Sequence, residues 1–229
     1  PEDADTKLFR QRGVVYADPK GRYIKFGGRV SGATRFRFGN TVQQVGPFDG
    51  AAFPQVWETG NEFTPSVEDD GGPVFSTTFS TAEDLLAVGT RDGRIKIWDL
   101  SSGEEVVDFP AHHGAVRDLD FSTDDQSLVS VGDDGLVRAW RIPGGTLQAE
   151  LGGEGGAVHS VAVGRNGLMV AGGADHMARV WRLPSNKPIA TFQGNEDRVT
   201  WVCLSPDQRS FYAAGADGRV RQWPVSAPN

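Results

Sequence analysis

The chain has 229 residues, 38% hydrophobic and 23% charged, which is typical of a globular protein with enough apolar side chains for a core. Its formal charge of −7 argues against a nucleic-acid binder, and its single cysteine, Cys203, excludes a disulfide framework or a thiolate zinc site within the chain. No run of about 18 apolar residues predicts a transmembrane helix, whereas 30 glycines and 13 prolines spread along the chain predict many tight turns between short strands.

The first 71 residues predict an irregular set of strands. Residues 6–10 are typical of an outer strand, residues 18–21 (Asp-Pro-Lys-Gly) of a turn, and residues 23–28 of a further strand. Residues 35–38 alternate arginine with phenylalanine. That pattern suits stacking on single-stranded RNA, but an amphipathic strand explains it more simply.

A repeat of 41 or 42 residues extends over most of the chain. The tryptophans that carry it are Trp57, Trp98, Trp140, Trp181 and Trp223. Six residues before each of the last four stands an aspartate: Asp92, Asp134, Asp175 and Asp217. A series of valines keeps the same period: Val74, Val116, Val158 and Val199. Three residue types that hold one period over four copies indicate a repeat architecture.

Each copy predicts four short antiparallel strands. In the copy that follows His112, these are residues 116–121, 127–131, 136–140 and 146–151, with turn residues between them. A sheet of four short strands cannot bury both of its faces alone. Copies stacked face to face around an axis solve this problem, so the sequence predicts an all-β propeller of four-stranded antiparallel blades.

The repeats also resemble the WD-repeat β-propeller family. The motifs that carry the resemblance are the pair Trp98-Asp99, the turns Asp92-Gly93, Asp134-Gly135 and Asp217-Gly218, and Ser205-Pro206-Asp207. The match covers residues 72–229. The later pairs depart from the family pattern, as Trp140-Arg141, Trp181-Arg182 and Trp223-Pro224.

In that family, a histidine, a serine or threonine, the turn aspartate and the tryptophan form a buried hydrogen-bonded chain within a blade. In this chain only one copy has all four residues: His112, Ser130, Asp134 and Trp140. In the other copies the position of the histidine holds Asp70, Glu154 or Asn195. The resemblance therefore assigns structural roles to a set of residues: Asp92, Trp98, His112, Ser130, Asp134, Trp140, Asp175, Trp181, Asp217 and Trp223.

The expected organisation is one propeller. Residues 72–229 form four regular blades, and residues 1–71 add an N-terminal latch strand and one irregular blade with an insertion near residues 29–50. The alternative is two degenerate blades in residues 1–71, so five blades are favoured and six are possible. The latch, residues 6–10, is expected to pair beside the last blade and leave no open edge.

A propeller presents loops from every blade on one rim, where partners bind in the WD-repeat family. Carried over by position, the resemblance implies partner contacts at Phe75, Arg91, Arg117, Asp133, His159 and Arg198. The expected function is a non-catalytic scaffold for a protein or peptide partner, within a larger protein or complex. The alternatives are nucleic-acid or small-ligand binding at the channel mouth, and a hydrolase in the channel.

No cofactor or metal site is expected, because the aspartates follow the repeat and the histidines form no ligand pair with metal-site spacing. Cys203 is predicted to be a buried structural thiol, since Val202 and Leu204 flank it. With no signal-peptide pattern, the sequence favours the cytoplasm or the nucleus.

Overall fold

A computed structural model describes strands in residues 14–17, 23–31, 34–38, 41–45, 49–53 and 56–58, and describes residues 74–225 apart from 83, 153–154 and 184. The chain divides into two compact units, residues 1–74 and 75–229, each taken here by itself. The predicted latch strand and the turn at 18–21 lie outside the described residues, as does Asp70. Within the described part, no helix is long and apolar enough to span a membrane.

The first unit is built around one long strand. β2 (Tyr23–Ser31) pairs antiparallel with β1 (Val14–Ala17), β5 (Asp49–Phe53) and β6 (Val56–Glu58). A separate hairpin of β3 (Thr34–Phe38) and β4 (Thr41–Val45) stands between β2 and β5 in the chain. The hairpin falls in the segment predicted as an insertion. The number of blades in the complete ring stays a prediction.

The second unit consists of four antiparallel sheets, A to D, in chain order. Sheet A contains β7 (Val74–Phe79), β8 (Leu85–Thr90), β9 (Arg94–Asp99) and β10 (Glu105–Pro110). Sheet B contains β11 (Val116–Phe121), β12 (Ser127–Gly132), β13 (Leu136–Arg141) and β14 (Thr146–Gly152). Sheet C contains β15 (Val158–Val163), β16 (Leu168–Gly173), β17 (Ala178–Arg182) and β18 (Ala190–Phe192). Sheet D contains β19 (Val199–Leu204), β20 (Ser210–Gly215) and β21 (Val220–Pro224). The predicted all-β fold of four-stranded antiparallel blades is confirmed.

Local chemistry explains where the strands end. β8 and β9 meet at a turn in which Gly93 has a φ of +87°, and a Cβ there would lie 2.0 Å from the backbone oxygen of His112. Only glycine tolerates that turn at no steric cost. β18 has three residues whereas β14 has seven, because Pro188 lacks the N–H that a longer ladder needs.

Three apolar cores lie between consecutive sheets. The A–B core includes Ile95, Ile97, Val116, Leu128 and Trp140. The B–C core includes Val131, Val137, Leu151, Met169 and Trp181. The C–D core includes Val180, Phe192, Val199, Val202 and Phe211. Sheets B and C are therefore buried on both faces, as the stacked repeat predicts. Val202 faces the C–D core, so its neighbour Cys203 faces the opposite side of the strand. Cys203 is half-buried, whereas the sequence predicted a buried thiol, so that prediction was wrong.

One buried carboxylate on β11 joins three sheets. Asp118 Oδ1 accepts hydrogen bonds from Ser76 Oγ of sheet A at 3.2 Å and from the Leu119 N–H at 2.9 Å. Its Oδ2 accepts from Ser160 Oγ of sheet C at 2.9 Å and from the Val161 N–H at 3.0 Å. Burial raises the pKa of Asp118, although these bonds oppose the shift. In all four bonds an Asp118 oxygen is the acceptor, so Asp118 ties neighbouring sheets together.

Candidate functional site

Four of the six predicted partner-binding positions lie at the start of the first strand of a sheet in the second unit, and Arg91 and Asp133 lie in turns between the second and third strands. Phe75, Arg117 and His159 each directly follow the first valine of β7, β11 and β15, so they occupy equivalent places on consecutive sheets. The Phe75 side chain is 40% exposed. The guanidinium carbon of Arg117 lies 4.9 Å from the centre of the Phe75 ring, within cation–π range.

Arg117 also forms a two-point ion pair within sheet B. Its Nε donates to Asp133 Oδ1 at 2.6 Å and its Nη2 donates to Asp133 Oδ2 at 2.9 Å. The backbone N–H of Asp133 donates to the Ala115 oxygen at 3.0 Å, which fixes the turn that carries the carboxylate. The hydrogen bond from Arg117 lowers the pKa of Asp133. Bidentate pairing restricts the guanidinium plane, so Arg117 presents an ordered face.

His159, on the next sheet, is influenced by the charges of this pair. Burial lowers its pKa first, and the positive charges of Arg117 and Arg198 lower it further, while Asp133 opposes them. Those charges act on one half-buried imidazole, whose Nε2 is buried without a hydrogen-bond partner among the described residues. Arg198 is exposed, and its backbone N–H donates to Asp197 Oδ1 at 2.6 Å.

Five of the six predicted partner-binding residues therefore form one group, called the rim patch below: Phe75, Arg117, Asp133, His159 and Arg198. Arg91, the sixth, is exposed in the turn between β8 and β9. Within the described part of the chain, no hydrogen bond, ion pair or ring contact links Arg91 to the rim patch.

The residues given structural roles lie inside the sheets. In sheet B, His112 Nδ1 lies 2.8 Å from Asp134 Oδ1 and His112 Nε2 lies 2.8 Å from Ser130 Oγ. Ser130 Oγ also accepts the Trp140 indole N–H at 2.8 Å. Burial lowers the pKa of His112, although the hydrogen bond to Asp134 opposes the shift, and Arg138 Nη1 also lies 2.9 Å from His112 Nδ1. Burial opposes the shift of Asp134, but hydrogen bonds from Arg138 and His112 lower its pKa to about 2.

The other sheets have only parts of this chain. In sheet A, Thr90 Oγ1 donates to the Asp92 carboxylate, and Trp98 is buried. In sheet C, Trp181 is buried in the B–C core, and Asp175 Oδ1 accepts the Met177 N–H at 3.1 Å. In sheet D, Asp217 accepts backbone N–H bonds from Glu196 at 3.1 Å and Arg219 at 3.0 Å, while Trp223 stacks on Phe211 with ring centres 5.5 Å apart.

Sequence reasoning missed a row of cations that pair with the turn aspartates. Each lies four residues after its aspartate and forms an ion pair with it: Arg138 with Asp134 at 2.7 Å, Arg179 with Asp175 at 2.5 Å and Arg221 with Asp217 at 2.7 Å. The signal was present in the repeat, because a basic residue stands two positions before each of the last four repeat tryptophans, beginning with Lys96. Sequence reasoning also missed Asp118. Among the described residues, no group of three or more histidine, cysteine, aspartate or glutamate side chains is placed to hold a metal ion.

The stacked sheets with their repeating aspartate and tryptophan define a β-propeller protein of the WD-repeat type. A family model described as "WD domain, G-beta repeat" matches residues 145–182 and 186–224. A second model, WDR54, matches residues 37–162, more than half of the chain. The chain therefore belongs to the WDR54 family.

Relatives and solved structures agree with this class. The chain is 32% identical over 145 residues to autophagy-related protein 16 of Arabidopsis thaliana, covering 60% of this chain and 28% of that protein. It is 29% identical over 146 residues to target of rapamycin complex subunit wat1 of Schizosaccharomyces pombe, covering 60% and 46%. The crystal structure of the computationally designed Ika8 protein superposes with a TM-score of 0.69 at 26% identity, covering 93% of this chain and 67% of that one.

The chain spans less than half of the length of the curated relatives it matches. Proteins with WD repeats are typically protein-interaction scaffolds, often as subunits of complexes.

Proposed function

We propose that this chain is a non-catalytic scaffold that binds a protein partner through the rim patch. One observation carries the proposal: Arg117 is held by two hydrogen bonds to Asp133 while its guanidinium contacts the exposed ring of Phe75. Aromatic residues and arginine are the side chains that binding hot spots favour. Because the arginine is already ordered, binding costs little further side-chain entropy.

The charge of the rim patch supports a particular kind of partner. The patch has two arginines against one aspartate, in a chain whose formal charge is −7. Asp133 balances Arg117, and Asp197 accepts from the backbone N–H of Arg198. The guanidinium of Arg198 therefore favours a carboxylate on the partner, with an apolar side chain of the same segment against Phe75.

The test compares two double variants of the full chain. F75A/R117A removes the centre of the rim patch. L147A/R141A removes an exposed apolar side chain and an exposed arginine from sheet B outside the patch, as the matched control. Proteins that co-purify with the wild-type chain are compared by quantitative mass spectrometry, and each recovered partner is then titrated against the purified variants. We expect at least one partner to bind the rim variant at least ~10-fold more weakly while the control binds normally.

Folding is checked by thermal melting of both variants, and both are expected to stay folded because the four side chains are all partly exposed. If every partner binds F75A/R117A as tightly as the control, the rim patch is not the binding surface. Arg198→Ala tests the charge separately: it should weaken binding and reduce its dependence on salt concentration.

A further inference from the structure

The first strands of the four sheets in the second unit are joined by a continuous row of hydrogen bonds. On β7, Ser76 Oγ donates to Asp118 Oδ1 of β11 at 3.2 Å. On β15, Ser160 Oγ donates to Asp118 Oδ2 at 2.9 Å, and the same oxygen accepts the Val202 N–H of β19 at 3.2 Å. These four residues, called the cross-sheet row below, therefore connect sheets A, B, C and D in order.

The row lies beside a bulge that recurs in the first strand. The register of the first two strands shifts just after the first valine in three sheets, at Val116, Val158 and Val199. In sheet B the extra residue is Arg117, because the residues on both sides of it have partners on β12 and it has none. In sheet C the extra residue is His159, by the same register. Two members of the rim patch are thus bulge residues, and a bulge aims such side chains away from the ladder.

The strand ladder holds these two residues weakly. The extra residue of a bulge is unpaired, and the ladder beside it is disrupted. The residue that follows each of them belongs to the cross-sheet row, since Asp118 follows Arg117 and Ser160 follows His159. Ser76 likewise follows Phe75. The rim patch therefore lies one peptide bond away from side chains that are fixed to the neighbouring sheets.

Asp118 is the centre of the row, and its two sides differ in strength. On the side of sheet C, Asp118 Oδ2 also accepts the Val161 N–H at 3.0 Å, and Asp120 Oδ2 accepts the Val163 N–H at 2.7 Å. On the side of sheet A, the bond from Ser76 spans the gap. Loss of the Ser76 hydroxyl should therefore release sheet A, whereas release of sheet C requires the carboxylate itself to change.

We propose that Asp118 is a positioning residue of the rim patch: its bonds to sheets A and C hold Phe75 and His159 on either side of Arg117, in the arrangement that the partner binds. This proposal rests on the proposed function, because it concerns the same surface. Asp118 is buried, so it acts on the partner through the three residues that it holds. A surface that is ordered before binding loses less side-chain entropy when the partner arrives.

The first measurement follows the arrangement in the full chain without a partner. The Phe75 ring lies 4.9 Å from the guanidinium carbon of Arg117, so its ring current displaces the Arg117 Nε–H signal in ¹H–¹⁵N NMR. Arg117→Lys identifies that signal, and Phe75→Leu, which has no ring, gives its undisplaced position. We expect Ser76→Ala to move the signal by at least half of the difference between wild type and Phe75→Leu.

The second measurement is the pKa of His159 in Asp118→Asn. An asparagine amide group would face a backbone N–H on either side of position 118, from Leu119 or from Val161, so one bond is lost whichever way it turns. Loss of a negative charge can by itself only lower the pKa of a histidine. We expect the pKa of His159 to rise, because the imidazole moves away from the arginines whose charges lower it. His159→Gln identifies its signals among the four histidines.

Ser80→Ala is the matched control. Ser80 is buried like Ser76, but its Oγ bonds lie within sheet A: it donates to Asp84 Oδ1 at 2.7 Å and accepts the N–H groups of Asp84 and Leu85. Thermal melting should show a loss of stability in Ser80→Ala, with both NMR measurements unchanged. If Ser80→Ala moves them as far as Ser76→Ala does, Asp118 has a merely structural role and the proposal is overturned.

Asp118→Asn decides the positioning role in the free chain. An unchanged or lower pKa of His159, with an unmoved Arg117 signal, would overturn the proposal. If Asp118→Asn does not fold, Ser160→Ala replaces it, since it breaks the same row without a change of charge and should also raise the pKa of His159.

Partner affinity separates this proposal from the proposed function. A partner that F75A/R117A releases should bind Asp118→Asn about three-fold or more weakly, although residue 118 is buried. Equal affinity in a chain whose rim patch has moved would overturn the positioning role. If instead every partner binds F75A/R117A normally, the proposed function fails, while the NMR measurements still show whether Asp118 holds the three residues in place.

Discussion

Ser130→Ala removes one oxygen on which two other buried side chains depend. Ser130 Oγ accepts the Trp140 indole N–H, and the same oxygen lies at hydrogen-bond distance, 2.8 Å, from His112 Nε2. Ser130 is fully buried, and Trp140 and His112 are each less than a tenth exposed. The space left by one hydroxyl is smaller than a water needs, so no solvent replaces it.

The expected cost follows from the two unpaired groups. A buried donor or acceptor that loses its partner costs about 1–3 kcal/mol. With the indole N–H of Trp140 and one ring nitrogen of His112 unpaired, we expect Ser130→Ala to lower the free energy of unfolding by ~2–6 kcal/mol. That is a large fraction of the ~5–15 kcal/mol that stabilises a typical domain.

The assay is urea unfolding followed by circular dichroism, with the slope against urea checked for constancy. A double-mutant cycle with Trp140→Phe isolates the indole bond, because phenylalanine keeps a ring but has no N–H. We expect a coupling energy of ~1 kcal/mol between positions 130 and 140. A loss below ~0.5 kcal/mol for Ser130→Ala, or a coupling of zero, would refute the reasoning.

Three further predictions concern charge. Arg117→Ala should raise the pKa of His159, since the arginine charge lowers it. NMR titration of the imidazole measures this pKa, and an unchanged value would contradict the electrostatic influence of Arg117. Burial lowers the pKa of His112 below its usual 6.5, so the unfolded chain binds a proton at this residue more readily than the folded chain. The free energy of unfolding should therefore fall as the pH decreases through 6.5. His112→Asn should make this free energy, measured by urea unfolding, depend less on pH. Asp118→Ala should cost at least ~2 kcal/mol, with faster hydrogen exchange at the Val161 amide, because two backbone N–H groups lose their acceptor.

The repeat predicted the strands of the second unit well because each one is set by local signals. The predicted strand 116–121 coincides with β11, and the other three predicted in the same copy differ from the structure by at most one residue at an end. Valine begins each first strand, and an aspartate turn precedes each third strand. In sheet C the local signal is weaker, and β18 has three residues because Pro188 interrupts its ladder.

The residues of the candidate site could be predicted from the sequence, but the contacts between them could not. The resemblance points to Arg117, His159 and Arg198 one at a time, since each is defined by its offset from a repeating valine or aspartate. Arg117 and Arg198 both act on the His159 imidazole because of how sheets B, C and D stack. These residues lie about 40 positions apart in the chain, and the sequence does not indicate how close they are in space. Asp118 was missed for the same reason, because its partners Ser76 and Ser160 lie 42 residues away on either side.

The unpaired indole of sheet C differs from these cases, since the sequence contains its cause. Ala171 stands 41 residues after Ser130, and the tryptophan and aspartate that accompany it keep the same spacing. A repeat protein therefore provides its own reference: Trp140 donates to Ser130 in sheet B, and Trp181 of sheet C has no such partner among the described residues, where alanine stands at the equivalent position. A departure of one copy from the repeat thus shows where a buried polar group loses its partner.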